Sequence, residues 1–416
     1  MTTASGDIAS RISRGAVGTS PARRRGLVLL SASMLALALT ACGGAGDDGG
    51  GTAETSASVI AEAKAAVAKN REGTDRALPI SAPKPQAGQN VWLISCSQAG
   101  EGCSAPAEGA EEAAAVVGWD LTIVDGKGRP DVFASAIRSA VADDADGIIL
   151  DAIDCIAAKS ALQDARKAGT KIFAFYAFDC NDPILKDQSE PLFDAELSFG
   201  NGVSFIDYVE KVQSRSAADY IIAQTEGKAK IIEFTEDDLV ITQHLKKGFE
   251  DRIKDCEGCE IVKKVPFNLD DFVTGKLGGK AEAALTQNPD ANVLYSPYDS
   301  ALTVGIAQAV VASGRNDDIL VTGNEGLTPN IGFTQDNKGQ DFITGLPARW
   351  VGWAAIDSMN RLLQGEPQVD QGMGLQNIDE NGPFPTQTTF YDGNMNPDGT
   401  PKQDYAANFK KIWDVS

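Results

Sequence analysis

Short runs of continuous apolar residues recur along this chain, each followed by a stretch in which apolar positions return every three or four residues. Asn90 to Ser95 (NVWLIS) reads as a strand buried on both faces. Helical spacing over residues 108–117 leads to a second strand at 120–125, and a helix at 132–142 to a third at 147–151. A helix at 157–168 leads to a fourth strand at 171–177. The pattern then repeats. A long helix (205–225) precedes strands at 230–234, 260–265, 292–295 and 318–322, separated by helices at 243–254, 276–287 and 301–313. Two consecutive βαβαβ blocks predict an α/β fold of two doubly wound parallel-sheet domains. Ligands of such sheets sit beyond the carboxyl ends of the strands, so two facing domains put the site in the cleft between them.

Upstream, residues 57–72 alternate Ala, Val and Ile with Glu, Lys and Arg at helical spacing, a leader helix, and Pro79, Pro83 and Pro85 break the chain into an extended linker. Earlier still, Arg23-Arg24-Arg25 flank the apolar run Leu27–Ala41, too short to cross a bilayer and built like a secretory signal. Leu39-Thr40-Ala41-Cys42 resembles the lipobox of bacterial lipoproteins, which implies a lipid on Cys42. Gly43–Ser58 offers almost nothing to pack and reads as a flexible tether. The expectation is a domain leashed to the outer face of the cell membrane, with no other segment spanning it.

The 416 residues carry a net charge of −21, and beyond residue 41 there are 32 basic against 57 acidic residues. That balance excludes a nucleic-acid partner and suits a self-repelling monomer. With Cys42 assigned to lipid, six cysteines remain, an even number that reads as disulfides in an exported protein. Proximity pairs Cys96 with Cys103 and Cys256 with Cys259, leaving Cys155 for Cys180, although six cysteines allow fifteen pairings. Cys256-Glu-Gly-Cys259 also has the spacing of a redox motif or half a zinc site. Its place after a helix and before a strand, with no second pair, favours a structural bridge.

Several segments resemble a known family, the type I periplasmic substrate-binding proteins of ribose- and galactose-type ABC importers. Gly118-Trp119-Asp120 leading to Val124-Asp125-Gly126, Asp143–Leu150 and Ala168–Ile172 are similar to its first domain. Gly248-Phe249-Glu250, Ser296–Ala301 and Val321–Gly326 fall where its second domain has cleft-facing turns. The similarity runs from about Gln89 to the C-terminus, and Trp92–Gln98 with its cysteine resembles an actinobacterial lipoprotein branch. The resemblance implies three crossings, near 200–204, 345–348 and 384–388. Residues 88–201 with 347–386 then form the N-terminal domain and 202–346 with 387–416 the C-terminal one, behind a signal peptide (1–41) and a tether with leader helix (42–87).

The resemblance also implies a site. Asp179 falls where the family sets an Asp against sugar hydroxyls, and Glu325 replaces an Asp on the opposite domain. Three positions depart from the sugar binders: Cys180 and Gln243 stand where arginines are usual, and Tyr298 stands for the Asn before Asp299. An expected glutamine is missing near Leu346 and Trp350. Sugars are held by planar polar groups at the ring edge and aromatic rings on its faces. Gln98, Asp151, Asp179, Gln243 and Glu325 are candidate edges, with Asp299 a further candidate ligand contact; Tyr176, Phe178, Tyr298, Trp350 and Trp353 are candidate faces or core. With two cations lost, the carboxylates also suit an amine-bearing ligand.

His244 is the only histidine, so no histidine-based triad or metal cluster can be assembled, and a solvent-facing helix position suits it as well as the cleft. Asp392–Gly399 has alternate oxygen ligands but lacks the closing Glu of a calcium loop, and Glu236-Asp237-Asp238 reads as a solvated turn. No cofactor and no metal are expected. The expectation is an extracytoplasmic, lipid-anchored protein that captures a small solute, foremost a sugar, and delivers it to an ABC permease. Alternatives are a sensor feeding a membrane receptor, a binder of a cationic or aromatic solute, and a secreted hydrolase using Asp179 and Glu325.

Overall fold

The central apolar runs become strands whose side chains are buried on both faces: every residue of Gly147–Asp151 is buried, as is every residue but the first of Lys171–Phe175. The computed structural model describes residues 50–186, 189–200 and 202–415. The lipobox, Cys42 and the signal-like run lie outside them.

The first lobe is a parallel five-stranded sheet built from β1 (Asn90–Ser95), β2 (Asp120–Asp125), β3 (Gly147–Asp151), β4 (Lys171–Phe175) and β5 (Ala195–Glu196), in the order β2-β1-β3-β4-β5. The second holds β6 (Lys230–Glu236), β7 (Glu260–Phe267), β8 (Val293–Tyr295), β9 (Leu320–Glu325), β10 (Phe342–Gly345) and β11 (Gln376–Asp379), in the order β11-β10-β9-β8-β6-β7. Among the described residues, β11 is the one strand of these sheets that runs antiparallel to its neighbour. The winding direction reverses between β1 and β3 in the first sheet and between β6 and β8 in the second. Those two points open crevices at the strand ends, and the chain places Asp151 and Glu236 there.

The helix Ala348–Leu363 joins the first lobe, as expected. Gly109 and Gly352 let it approach the helix Glu101–Val117 closely, for a Cβ on either would strike the other's backbone. The domain limits need correction beyond it. Gln376–Asp379 pairs with β10, and Ile378 is buried with Ile331, Ile343 and Tyr391, so residues 376–379 extend the second sheet, not the first lobe. The chain then returns: Phe409 and Trp413, in and just after the helix Tyr405–Ile412, stack on Trp353 of the first lobe, at 6.3 and 5.8 Å between ring centroids. The last crossings therefore fall between Leu363 and Gln376 and again before Tyr405.

The expected tether is also built into the fold from about residue 56. The helix Gly50–Glu72 buries Val59, Ala63 and Val67 against Ala217, Tyr220 and Ile221 of the second lobe. The chain then runs as a strap to the first lobe. Arg76 pairs with Asp370 at 2.7 Å, and the carbonyls of Ser81, Pro83 and Gln86 accept from Arg361, Asn360 and Trp119. Prolines leave such an extended segment free to offer its carbonyls sideways. Val67→Asp should lower stability by roughly 3 kcal/mol, from lost apolar burial and an unpaired charge. An unchanged denaturation midpoint would show that the helix is not seated on the second lobe.

Candidate functional site

The carboxyl ends of the two sheets meet where Gly102 of the first lobe abuts Glu325 at the end of β9. Three residues at strand ends carry positive φ although none is glycine: Ala152 (51°), Tyr176 (53°) and Glu325 (102°). Such strained backbone persists only where the surroundings enforce it, and it clusters at functional sites.

Asp151 ends β3 with 0% exposure, and neither carboxylate oxygen meets a hydrogen-bond donor at bonding geometry. Its carboxylate lies within 4.8 Å of the sulfurs of Cys96 and Cys103. Burial pushes its pKa well above the usual carboxylate range, and the neighbouring Ser95 hydroxyl is the one group favouring the charged form. The loop bridged by Cys96 and Cys103 also presents Gln98, anchored through its backbone N–H to Asp125 at 2.9 Å, with Nε2 buried and unpartnered. Burial, then Tyr208 and the charges of Asp151 and Glu325, hold the Tyr176 phenol protonated.

The second lobe supplies the facing wall. Glu325 accepts from the backbone N–H of Asp299 at 3.2 Å, and its other oxygen abuts Gly102 of the first lobe. Burial, then Asp299, lift Glu325 to about 8. Tyr298 donates its hydroxyl to Glu236 at 2.8 Å, while the other Glu236 oxygen, at 1% residue exposure, has no partner. Burial lifts Glu236 to about 8 against the Tyr298 hydrogen bond. Asp299 is spent on structure, accepting from Gly326 N–H at 2.8 Å and Gln340 Nε2 at 2.9 Å.

The lobes touch across this seam. Glu101 accepts from the N–H and hydroxyl of Thr328 at 3.0 and 2.6 Å. His244, fully buried, sets Nε2 3.0 Å from Asp182 of the first lobe and Nδ1 2.7 Å from Glu210, and stacks on Phe178 at 4.6 Å. Burial opposes its charge, but Asp182 and Glu210 outweigh it and raise its pKa. Glu210 is presented by a π turn, Val209–Gln213, that interrupts the expected long helix.

The candidate residues therefore divide. Asp151 and Tyr176 sit at strand ends of the first lobe, with Asp151 against the bridged loop that carries Gln98, and Tyr298 and Glu325 sit at or just beyond strand ends of the second. Asp179 does not offer a free carboxylate: it accepts from the backbone N–H groups of Cys180, Leu192 and Phe193 at 2.7–3.0 Å and staples its own loop. Gln243 is half-buried and caps the Asp237 carbonyl at 2.9 Å. Trp350 is fully buried, stacked on Tyr405 at 5.2 Å, with Nε1 unpartnered. Glu236, read as part of a solvated turn, and His244, placed equally well in solvent, are both interior. Glu236 follows Ile232 and Phe234 in strand alternation, the one signal that could have found it. The Asp392–Asp398 loop turns its oxygens to protein donors, Asp392 to Trp350 N–H and the Tyr405 hydroxyl and Asp398 to Thr400. Cys96–Cys103, Cys155–Cys180 and Cys256–Cys259 stand at disulfide distance, with Cα separations of 6.0, 5.1 and 5.3 Å.

Residues 92–367 match the model of a family described as a periplasmic binding protein domain. No curated protein matches the chain. Similar solved structures include GanP, a glucose-galactose binding protein from Geobacillus stearothermophilus (17% identity, 71% of this chain and 98% of that one, TM-score 0.59). A Bacillus halodurans ABC transporter solute binding protein with bound myo-inositol is similar too (16%, 71% and 96%, 0.58). So is a Mycobacterium smegmatis protein in complex with β-D-fucofuranose (20%, 70% and 92%, 0.56).

Acids raised from 4.5 to about 8 bind protons on folding, as Glu236 and Glu325 do. Their stabilisation is complete below the ordinary value and is lost as pH rises through about 8; raised His244 acts in the same sense. The ligand-free melting temperature should fall from about pH 5 to pH 8, and Glu236→Gln and Glu325→Gln should each flatten that slope. Equal slopes in wild type and both variants would contradict the burial of these carboxyls.

Proposed function

The chain belongs to the periplasmic binding protein family, and from that premise we propose that it captures a small polyhydroxylated solute, foremost a sugar, between its two lobes and delivers it to an ABC permease. The family is one of solute-binding proteins and not of enzymes, and it works outside the cytoplasm. The observation that carries the reading is the fully buried carboxylate of Asp151 at the end of β3, which has no hydrogen-bond partner. A polar group so buried is costly until a ligand satisfies it. The sugars and polyols named with the similar structures support the same class of solute. Capture needs no chemistry: lobes closing about their crossings bury the solute between preformed faces. The lipobox-like Leu39–Cys42 supports attachment to the outer face of the membrane.

Native mass spectrometry of the intact chain from cells grown in rich medium should find a small polyol retained. A retained peptide or apolar molecule would overturn the reading. Asp151→Ala should weaken retention at least about tenfold, the loss of one charge-assisted hydrogen bond. Asp179→Ala should instead lower the melting temperature, because three backbone N–H groups lose their acceptor; the opposite allocation would restore Asp179 as the ligand contact. Cys42→Ser should move the protein from the membrane fraction to the medium or periplasm, and unchanged membrane retention would refute lipidation there.

A further inference from the structure

The three cysteine pairs differ in what surrounds their sulfurs. Cys155 and Cys180 are both fully buried, and the carboxylate within 4.8 Å of them, Asp179, is committed to three backbone N–H groups. Cys256 is buried and Cys259 partly exposed, and among the described residues no carboxylate lies within that distance of both their sulfurs. Cys96 and Cys103 are both partly exposed, and an oxygen of Asp151 lies within 4.8 Å of both sulfurs. Asp151 is fully buried, and neither of its oxygens has a hydrogen-bond partner. Among the described residues, this pair alone combines two partly exposed cysteines with a buried carboxyl that has no other partner.

Disulfide exchange begins when a thiolate attacks one sulfur and expels the other as a thiolate. Cys103 lies in the first turn of the 17-residue helix Glu101–Val117, where the positive end of the helix dipole favours a negative sulfur. Burial holds Asp151 protonated. The other groups that act on its charge or feel it are the Ser95 hydroxyl of β1 and the Tyr176 phenol just beyond β4. A protonated carboxyl beside a leaving sulfur can supply the proton that sulfur takes up. The dithiol so formed offers two S–H donors to oxygens that otherwise have none, which favours the open form.

We propose that Cys96–Cys103 is a thiol-exchange site served by Asp151, and that its opening releases the loop through which the first lobe holds the second. The co-reactant is a thiol. Its thiolate attacks Cys96 Sγ and forms a mixed disulfide as the Cys96–Cys103 bond breaks; the electron pair leaves on Cys103 Sγ, which takes the Asp151 proton. A second thiolate attacks the sulfur of the attached thiol, releasing the disulfide of the two thiols and the Cys96 thiolate. Solvent protons then restore Cys96 and Asp151. The bridge gains two electrons, and the two thiols lose them. The loop between the cysteines carries Glu101, which accepts from the N–H and hydroxyl of Thr328 in the second lobe, and Gly102, which abuts Glu325. The bridge is the covalent clamp on that loop.

The test uses the intact chain purified in detergent, with a metal chelator present. Dithiothreitol, whose two thiols supply both steps, is added at pH 7 for timed intervals and quenched by alkylation. Peptide mass spectrometry then follows all three bridges in one sample. Cys96–Cys103 should open at least about ten-fold faster than Cys155–Cys180 and Cys256–Cys259. Asp151→Asn, which keeps the side chain's shape but has no carboxyl proton, should slow that opening about ten-fold and leave the other two bridges at their wild-type rates. Its melting temperature checks that it folds. In the opened wild type, hydrogen exchange at the Thr328 N–H should quicken about ten-fold, because its acceptor sits on the released loop. Opening of Cys96–Cys103 no faster than that of Cys256–Cys259, a comparison that needs no variant, overturns the exchange site. A wild-type rate in Asp151→Asn overturns the part given to Asp151, and unchanged protection at Thr328 overturns the release of the loop. Each outcome is independent of solute capture, which the retained solute decides.

Discussion

Carboxyl groups at the ends of the central strands, buried without counter-cations, are the constraint on which this molecule turns. Asp151 closes β3, Glu236 closes β6 and Glu325 closes β9. Each lies at or beside the place where a doubly wound sheet leaves room for a ligand. Leaving a buried polar group unsatisfied costs about 1–3 kcal/mol, and more when it is charged. Positive φ at Ala152, Tyr176 and Glu325 adds strain to the same seam. Stability is given up where the two lobes meet, and under the proposed function a bound solute returns it.

The rest of the fold keeps that seam closable. Its faces are held by short contacts between lobes, Glu101 with Thr328 and Asp182 with His244, which are polar and can be exchanged for water on opening. Behind them, aromatic stacks of Phe178, Phe199, Phe205 and Tyr208 form an apolar junction. The strap from the helix Gly50–Glu72 to Gln86 adds a further connection between lobes beyond the crossings of the sheets. Any opening motion must accommodate it, because one end is buried in the second lobe and the other is hydrogen-bonded to the first.

The central strands β1, β3, β4, β6, β8 and β9 were legible because their apolar runs are buried between helix layers, and the edge strands β2 and β7 from their place in the alternation of strands and helices. β11 was not: Gln-Asn-Ile-Asp has one aliphatic residue, and its place is set by pairing with β10 rather than by its own pattern. Asp151 was legible as the polar end of a buried strand. Asp179 misled because the N–H groups of Leu192 and Phe193 come from far along the loop, and no local pattern shows them turning back. His244 was ambiguous for a related reason, since its burial depends on Asp182 of the opposite lobe. Glu236 was hidden by its neighbours: followed by two aspartates, it reads as solvated, and only its phase within the strand marks it as interior.

The central claim is that one solute bridges both lobes through these carboxyls. A crystal structure of the protein with its retained solute tests it most directly. The account predicts solute polar atoms within about 3.2 Å of Asp151 in the first lobe and of Glu236 or Glu325 in the second. A solute bound elsewhere, with Asp151 still unpartnered, would contradict it.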